Sequence, residues 1–320
     1  MSSGTGRRAL VTGGAGFIGS HLVDGLLDAG WAVRVVDDFS SGREENLAAA
    51  LSRIELIRGD FAEPEVAYAA VAGVEVVFHQ GAIPSVPRSV AEPLRTNRVN
   101  VDGTLLMLEA ARQAGARRLV FAASSSAYAN TEVLPKVETM PAAPLSPYAL
   151  QKYTGEVYCR LYHDLYGLET VALRYFNIFG PRQDPKSAYA AVVPLFATAC
   201  LRGEPPTIHG DGEQSRDFTF VADAVAANLA AADAPKAPGH VINVAGGRRI
   251  TLNELLATIQ GIVGSSVTPV HGPPRAGDVR DSLADLERAR ELLGWEPAVP
   301  IERGLASTIE SLRNGAGARG

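Results

Sequence analysis

The sequence predicts an α/β fold: a doubly wound parallel sheet with a smaller, discontinuous C-terminal substrate lobe. Three observations predict it. Short β-branched runs alternate with longer helical patterns through the first half of the chain. Those runs are largely apolar without alternation, as strands of a parallel sheet buried on both faces are. A helix and a strand of the same character then return after a stretch rich in proline, glycine and charge, as if completing the sheet.

In chain order, RALVT (8–12) reads as the first strand and SHLVDGLLDAG as the helix after it. AVRVV (32–36), IELIR (54–58) and VEVVF (74–78) read as the next three strands. The helical pattern VDGTLLMLEAARQAG leads to a fifth strand, RRLVFAA (117–123). LSPYALQKYTGE (145–156) opens on a proline, which suits the first turn of a helix, and TVALRYF (170–176) reads as the strand beyond it. After Asn177 the texture changes, and it recovers near Asp217 with a helix (VADAVAANLAAAD) and a strand (HVINVAG). From Gly246 onward there are two further helical patterns and a loop, HGPPRAGDVRDSLAD. The division this implies is 1–176 plus about 217–245 for the sheet domain, and 177–216 plus 246–320 for the second lobe.

Composition narrows the function. The chain has 320 residues, 46% hydrophobic and 20% charged, a soluble globular balance large enough for a sizeable core. No apolar run reaches the length of a membrane span, and MSSGTGRRALVTGG lacks the apolar stretch of a secretory signal, so a cytoplasmic protein is expected. Net charge is −5 with basic residues scattered, so no nucleic-acid partner is expected. Cys159 and Cys200 are too few for a disulfide framework or a cysteine-based metal cluster, and no metal is expected. Lysine is scarce: only Lys136, Lys152, Lys186 and Lys236 occur.

LVTGGAGFIGSHL places Gly13, Gly16 and Gly19 between the first strand and first helix, where glycines allow a tight turn and close approach of backbone to a pyrophosphate. Asp37 ends the second strand. A carboxylate there accepts hydrogen bonds from an adenosine ribose and repels a 2′-phosphate, so the expected cofactor is NAD rather than NADP. In the helix opened by Pro147, Tyr148 and Lys152 lie one turn apart on one face. Free tyrosine is a poor base near neutral pH, and a neighbouring ammonium favours its phenolate. The serine tract of FAASSSAYA follows the fifth strand, and a serine hydroxyl there can bond the same substrate oxygen.

With two residues between successive glycines, the motif resembles the short-chain dehydrogenase/reductase superfamily in its extended, Rossmann-type form. The resemblance implies a catalytic trio of Ser124, Tyr148 and Lys152. It further implies that Phe17, Ile18, Asp38, Asp60, Phe61, Gln80, Gly81, Ala82, Asn97 and Tyr175 line the dinucleotide beside Gly13, Gly16 and Asp37. Asp60 also suits an ordinary turn, and Asn97 and Asn100 suit helix caps. Ser125 and Ser126 either reach the substrate or only cap backbone. They stand where the superfamily's dehydratases carry an Asp–Glu pair, and neither can act as acid or base for losing water at neutral pH.

LRYFNIFGPRQDPKSAYAAVVP, DGEQSRDFTFV and PPRAGDVRDSLAD resemble, in order and spacing, the nucleotide-sugar 4-epimerases. This implies a homodimer acting on a UDP-sugar, with the helices after Asn100 and Ser146 at the contact. Asn177, Arg216 and Arg275 are implied at the diphosphate, where a guanidinium suits phosphate oxygens, and Asp278 at the ribose. Val193, Pro194 and Leu195 are implied at the uracil, Ser85 beside the sugar, and Ser282 at the sugar's 2-substituent. A surface pair of Arg216 with Asp217 is the ordinary alternative. A small residue at 282 leaves room for an N-acetyl group, so UDP-GlcNAc and UDP-GalNAc are expected alongside UDP-Glc and UDP-Gal. A uronate epimerase, ketoreductase or decarboxylase of a nucleotide sugar is the runner-up, with Arg182 or Lys186 able to meet a carboxylate. A catalytically dead nucleotide sensor is the reading from outside the enzymes. Ala129, where the family has glycine, and Gln80, where it has an apolar residue, are departures.

Overall fold

The structure, a computed structural model, describes residues 6–128, 131–185, 191–274 and 280–317. Seven parallel strands make the main sheet: β1 (Arg8–Thr12), β2 (Ala32–Asp37), β3 (Ile54–Arg58), β4 (Val76–His79), β5 (Arg118–Ser124), β6 (Glu169–Tyr175) and, after four short strands elsewhere, β11 (His240–Val244). Their order is β11-β6-β5-β4-β1-β2-β3. The six strands expected from the first half all form, shifted by at most two residues at an end, and HVINVAG returns to the sheet beside β6.

Alternation along each strand builds two cores. Ala9, Val11, Val76, Phe78, Val120 and Ala122 face helix α1 (Phe17–Asp28), while Leu10, Val77, Leu119 and Phe121 face the other side. That second face is covered by α2 (Pro64–Val71), α5 (Gly103–Gln113) and α6 (Pro147–Tyr166), through Ala67, Ala70, Met107, Leu108, Cys159 and Tyr162. Two short helices, α3 (Val86–Ala91) and α4 (Pro93–Asn97), precede α5, and a single π-helical turn over Arg98–Asp102 joins α4 to it. On the first face α8 (Val221–Asp233) packs beside α1, and a Cβ on Gly25 would sit 2.6 Å from Val225, so the two helices need glycine at their crossing.

A third core lies apart from the sheet. It joins Val193, Phe196, Ala197 and Cys200 of α7 (Val192–Arg202) to Leu255, Leu256 and Ile259 of α9 (Leu252–Val263), with Leu305 and Ile309 of α11 (Ile301–Gly317). Three two-stranded ladders surround it: β7 (Ile178–Phe179) with β10 (Thr219–Phe220), β8 (Thr207–His209) with β13 (Val270–Gly272), and β9 (Ser215–Asp217) with β12 (Arg249–Thr251). Helix α10 (Glu287–Leu293) packs against β11. Among the described residues no helix is long and apolar enough to cross a membrane.

Candidate active site

One cleft of about 1130 Å³ runs across the C-terminal ends of the sheet strands, where ligands of open α/β sheets bind. Each wall is a loop delivered by a strand: Gly13 and Gly16 after β1, Asp37 to Gly42 at β2, Asp60 and Phe61 after β3, Gln80 to Ile83 after β4, Ser124 to Ser126 at β5, and Tyr175 to Asn177 at β6.

The glycine turn is built for close approach. Gly13 sits at φ +66°, and a Cβ there would lie 2.7 Å from Gly81 Cα, so the loops after β1 and β4 meet only because both lack side chains. A Cβ on Gly19 would lie 2.2 Å from Gly13 O, which fixes how closely α1 begins beneath the loop. No side chain caps α1 at Gly16, and its first residues, Phe17 and Ile18, line the cleft. An uncapped helix N-terminus facing a glycine cradle fits a pyrophosphate. Asp37 is buried, its Oδ2 accepting from Ala15 N at 2.8 Å and its Oδ1 from Phe39 N at 2.8 Å. Burial raises its pKa, and those two amides pull it back. Asp38 Oδ1 accepts from Ser40 N and Oγ, shaping the loop that carries Ser40, Ser41 and Gly42 to the cleft. Asp60 Oδ2 accepts from Arg98 at 2.9 Å.

Helix α6 carries Tyr148 and Lys152 and is locked on three sides. Ser146 caps it, accepting from Ala149 N, and Ser89 Oγ accepts from Tyr148 N at 3.0 Å. Gly155 lets it lie on Phe121, whose ring a Cβ would meet at 2.5 Å. Glu156 accepts from Arg174 of β6 at 2.9 and 2.6 Å, a pair buried on both sides; breaking such a pair costs about 3–5 kcal/mol. Ser124, Tyr148 and Lys152 all reach the cleft.

Their electrostatics differ from expectation. Burial raises the Tyr148 pKa, and the opposing influence is the hydrogen bond with Ser124, not the Lys152 ammonium. Lys152 Nζ donates to Ala122 O at 2.7 Å and lies over the Phe121 ring, so its charge is directed at the strand floor. Burial lowers its pKa to about 8. Ser126 Oγ donates to Ser124 Oγ at 2.9 Å, so Ser126 helps to hold the Ser124 hydroxyl.

On the far wall, Asn177 adopts φ +37°, a left-handed conformation that asparagine tolerates better than most residues. Its Nδ2 donates to Asp217 O at 2.9 Å and to Ser282 Oγ at 3.4 Å, and Asp217 N donates to Ser282 Oγ at 3.2 Å. Ser282 is thus a held, small side chain facing the cleft. Arg216 also lines the cleft, donating through Nη1 to Ser215 O and Arg280 O.

Of the predicted residues, Gly13, Gly16, Phe17, Ile18, Asp37, Asp38, Asp60, Phe61, Gln80, Gly81, Ala82, Ser124, Ser125, Ser126, Tyr148, Lys152, Tyr175, Asn177, Arg216 and Ser282 are brought together. Asn97 is not: it ends α4 exposed, and the buried asparagine is Asn100, which accepts from Ile83 N at 2.8 Å and donates to Gln151 at 2.9 Å. Ser85 caps α3, accepting from Arg88 N. Val193 and Pro194 are buried in the first turn of α7, the former in the third core, and Leu195 projects from α7; none of the three lines the cleft. Arg182 pairs with Asp24 at 2.7 Å. Arg275, Asp278, Lys186 and Ala129 lie outside the described residues. Gln80, a departure on sequence grounds, is satisfied: its amide donates to Tyr175 Oη at 3.1 Å and Asn228 Oδ1 at 3.0 Å. Sequence reasoning missed Ser40, Ser41, Arg98, Gln183 and Lys136 at the cleft. The first two lie one residue beyond Asp37 and Asp38, after Phe39, and the scarcity of lysine was a usable signal for the last.

The chain matches the model of the NAD dependent epimerase/dehydratase family over residues 9–245. It is 44% identical over 311 residues to a UDP-glucose 4-epimerase of Mycolicibacterium smegmatis, covering 96% of this chain and 99% of that protein. The crystal structure of UDP-glucose 4-epimerase from Thermotoga maritima with UDP-glucose superposes with a TM-score of 0.92 at 42% identity, covering 97% of this chain and 99% of that one. UDP-N-acetylglucosamine 4-epimerase from Methanobrevibacter ruminantium, in complex with UDP-N-acetylmuramic acid, gives a TM-score of 0.93 at 39% identity, with the same coverage of 97% and 99%.

Proposed function

The chain belongs to the NAD-dependent epimerase/dehydratase family, and on that premise we propose that it inverts C4 of UDP-hexoses, acting on UDP-GlcNAc and UDP-GalNAc as well as UDP-Glc and UDP-Gal. One observation carries the reading: Ser124, Tyr148 and Lys152 share a cleft with the glycine turn, while the positions beside Ser124 hold serines instead of acids. The cleft can therefore move a proton at an alcohol but lacks the acid–base pair there that losing water would require.

NAD is the cofactor, and when bound it supplies a hydride acceptor that returns the hydride to the same carbon. Gly13, Gly16 and the start of α1 would hold its pyrophosphate, and Asp37 a ribose. Tyr148 Oη takes the proton of the C4 hydroxyl, and Ser124, bonded to that phenol, bonds the same oxygen. Lys152 keeps the floor beneath the phenol in place through Ala122 O. The 4-keto sugar turns about its diphosphate linkage to present the other face of C4 for reduction, and Tyr148 gives the proton back to the C4 oxygen. Arg216 holds the diphosphate, and Ser282, small and fixed by Asn177 and Asp217, leaves room for a 2-acetamido group. Residues 1–176 with about 217–245 form the dinucleotide domain in this proposal, and the remainder forms the sugar-nucleotide lobe. The protein is further proposed to act as a homodimer in the cytoplasm.

The test is a panel of UDP-hexoses incubated with protein alone, with products separated by C4 configuration. The expected product is an isomer of unchanged mass formed without added NADH, and Tyr148→Phe should slow it by about 10²- to 10⁴-fold. Loss of CO₂, a stoichiometric demand for outside reductant, or an unimpaired Tyr148→Phe variant would refute the proposal.

A further inference from the structure

Among the described residues two lysines line the cleft, and only Lys152 has a part in the chemistry above. The other is Lys136, with 1% of its surface exposed. A buried ammonium normally has a carboxylate partner, because taking the charge out of water costs several kcal/mol. Lys136 has none within ion-pair distance among the described residues, and its Nζ bonds a single backbone carbonyl, that of Thr131. An ammonium has three donors, and among the described residues the Thr131 carbonyl takes one of them.

The backbone fixes where those donors stand. Lys136 N donates to Leu283 O at 2.7 Å, Asp285 N donates to Lys136 O at 2.9 Å, and residue 136 bridges Ala284. Asn243 Nδ2, at the end of β11, also donates to Lys136 O at 3.0 Å, and Tyr128 Oη donates to Asn243 Oδ1 at 2.7 Å. Lys136 is thereby sewn to the segment that immediately follows Ser282 and tied to the serine loop after β5. The carboxylate that acts on it is Asp281, which lies beyond ion-pair distance, accepts from Ser215 N and Oγ, and only partly opposes the effect of burial.

We propose that Lys136 is a specificity residue that donates to an oxygen of the hexose substituent lying against Ser282, the carbonyl oxygen when that substituent is a 2-acetamido group. The inference rests on the epimerase reading and deepens it: Ser282 gives the acetamido group space, and Lys136 gives its oxygen a partner. A hydroxyl at the same carbon is shorter and gains less. A contact made equally in ground and transition states changes KM and leaves kcat alone.

The experiment compares Lys136→Met with wild type on both substrate pairs, and measures NAD content and melting temperature on the same preparations. The expected result is a KM for UDP-GlcNAc and UDP-GalNAc raised about 10- to 100-fold, the usual effect of losing a charged donor. KM for UDP-Glc and UDP-Gal should change less than about threefold, with kcat and bound NAD unchanged. Equal losses on both pairs would move Lys136 to the diphosphate, and no loss on either would make it structural; each overturns the proposal. Should the Met variant fail to fold, Lys136→Gln carries the same comparison, because its amide still donates but without charge, and it should fall between wild type and a full loss. Wild-type protein that leaves every UDP-hexose unchanged would sink the epimerase reading alone. Equilibrium dialysis of UDP-GlcNAc, UDP-Glc and UDP against wild type and variant would still test Lys136, with UDP binding expected to be unaffected.

Discussion

Tyr148 illustrates how far residue spacing determines chemistry. Its position one turn before Lys152 is visible in the sequence, and so is the serine tract, but which neighbour tunes the phenol is decided by where each side chain ends. Lys152 turns to Ala122 O, leaving the Ser124 hydroxyl to oppose the burial that raises the phenol pKa. A raised pKa means less phenolate at neutral pH, so kcat/KM should climb with pH on its acid side. Ser124→Ala removes the opposing hydrogen bond, which should push that rising limb to higher pH besides lowering its plateau. A pH profile whose limb stays in place would show that Ser124 does not tune the base. Lys136 was legible as a rare residue and not as a site, since burial of a cation is imposed by the segment it pairs with, some 150 positions away in sequence.

At the scale of elements, a hydrogen-bond relay holds the floor of the cleft. Gly81 N donates to Thr12 Oγ1 at 2.9 Å, and Thr12 Oγ1 lies 2.8 Å from His79 Nδ1. His79 Nε2 lies 3.0 Å from Thr104 Oγ1, which donates to Asn100 O at 2.8 Å. The directions are consistent only if His79 is neutral with its proton on Nε2, assigned here from the network. Burial, then the Lys152 charge, lowers its pKa to about 3. The unfolded chain binds this proton first as pH falls below about 6.5, so His79 withdraws stability progressively down to about pH 3, on the order of 5 kcal/mol in all. Asp217 works the other way: burial raises its carboxyl to about 7, so its folded form gains a proton first as pH falls. These two groups therefore oppose one another between pH 6.5 and 4. His79→Leu should lower stability at pH 7, because Thr12 and Thr104 lose their partner, yet shift the slope relative to wild type towards greater stability on acidification. Urea midpoints across that range check this, and parallel slopes for the two proteins would contradict it. The strands of this floor were readable because each is apolar on both faces. The relay was not, since threonine and histidine in a strand look alike whether they face one another or solvent.

The whole molecule offers one helix that serves two surfaces. Along α6, Lys152, Gly155, Cys159 and Tyr162 face inward with Tyr148 at the cleft, while Leu150, Val157, Leu161 and Leu165 form an exposed stripe at helical spacing. Leu165 is 67% exposed. Helices α3 and α4 pack against α6, and α4 adds Leu94 at 86% exposure. An exposed apolar stripe on packed neighbouring helices suits an association face, and a two-fold contact would bury the same patch from both copies. In sequence α6 is apolar enough for burial, but a contact face cannot be told from the sheet-facing side; which side meets the sheet depends on Gly155 and Glu156 finding Phe121 and Arg174. Wild-type protein should therefore sediment as a homodimer at micromolar concentration. Leu161→Arg, placing a charge in the middle of the stripe, should give a monomer with an unchanged circular dichroism spectrum. Ser124, Tyr148 and Lys152 belong to one chain and face away from the stripe, so the monomer should retain measurable turnover. Its kcat should fall as far as α6 loosens, which hydrogen exchange along residues 147–166 would report. Wild-type protein that stays monomeric at tens of micromolar, or a Leu161→Arg variant that remains dimeric, would place the contact elsewhere and leave this stripe without a partner.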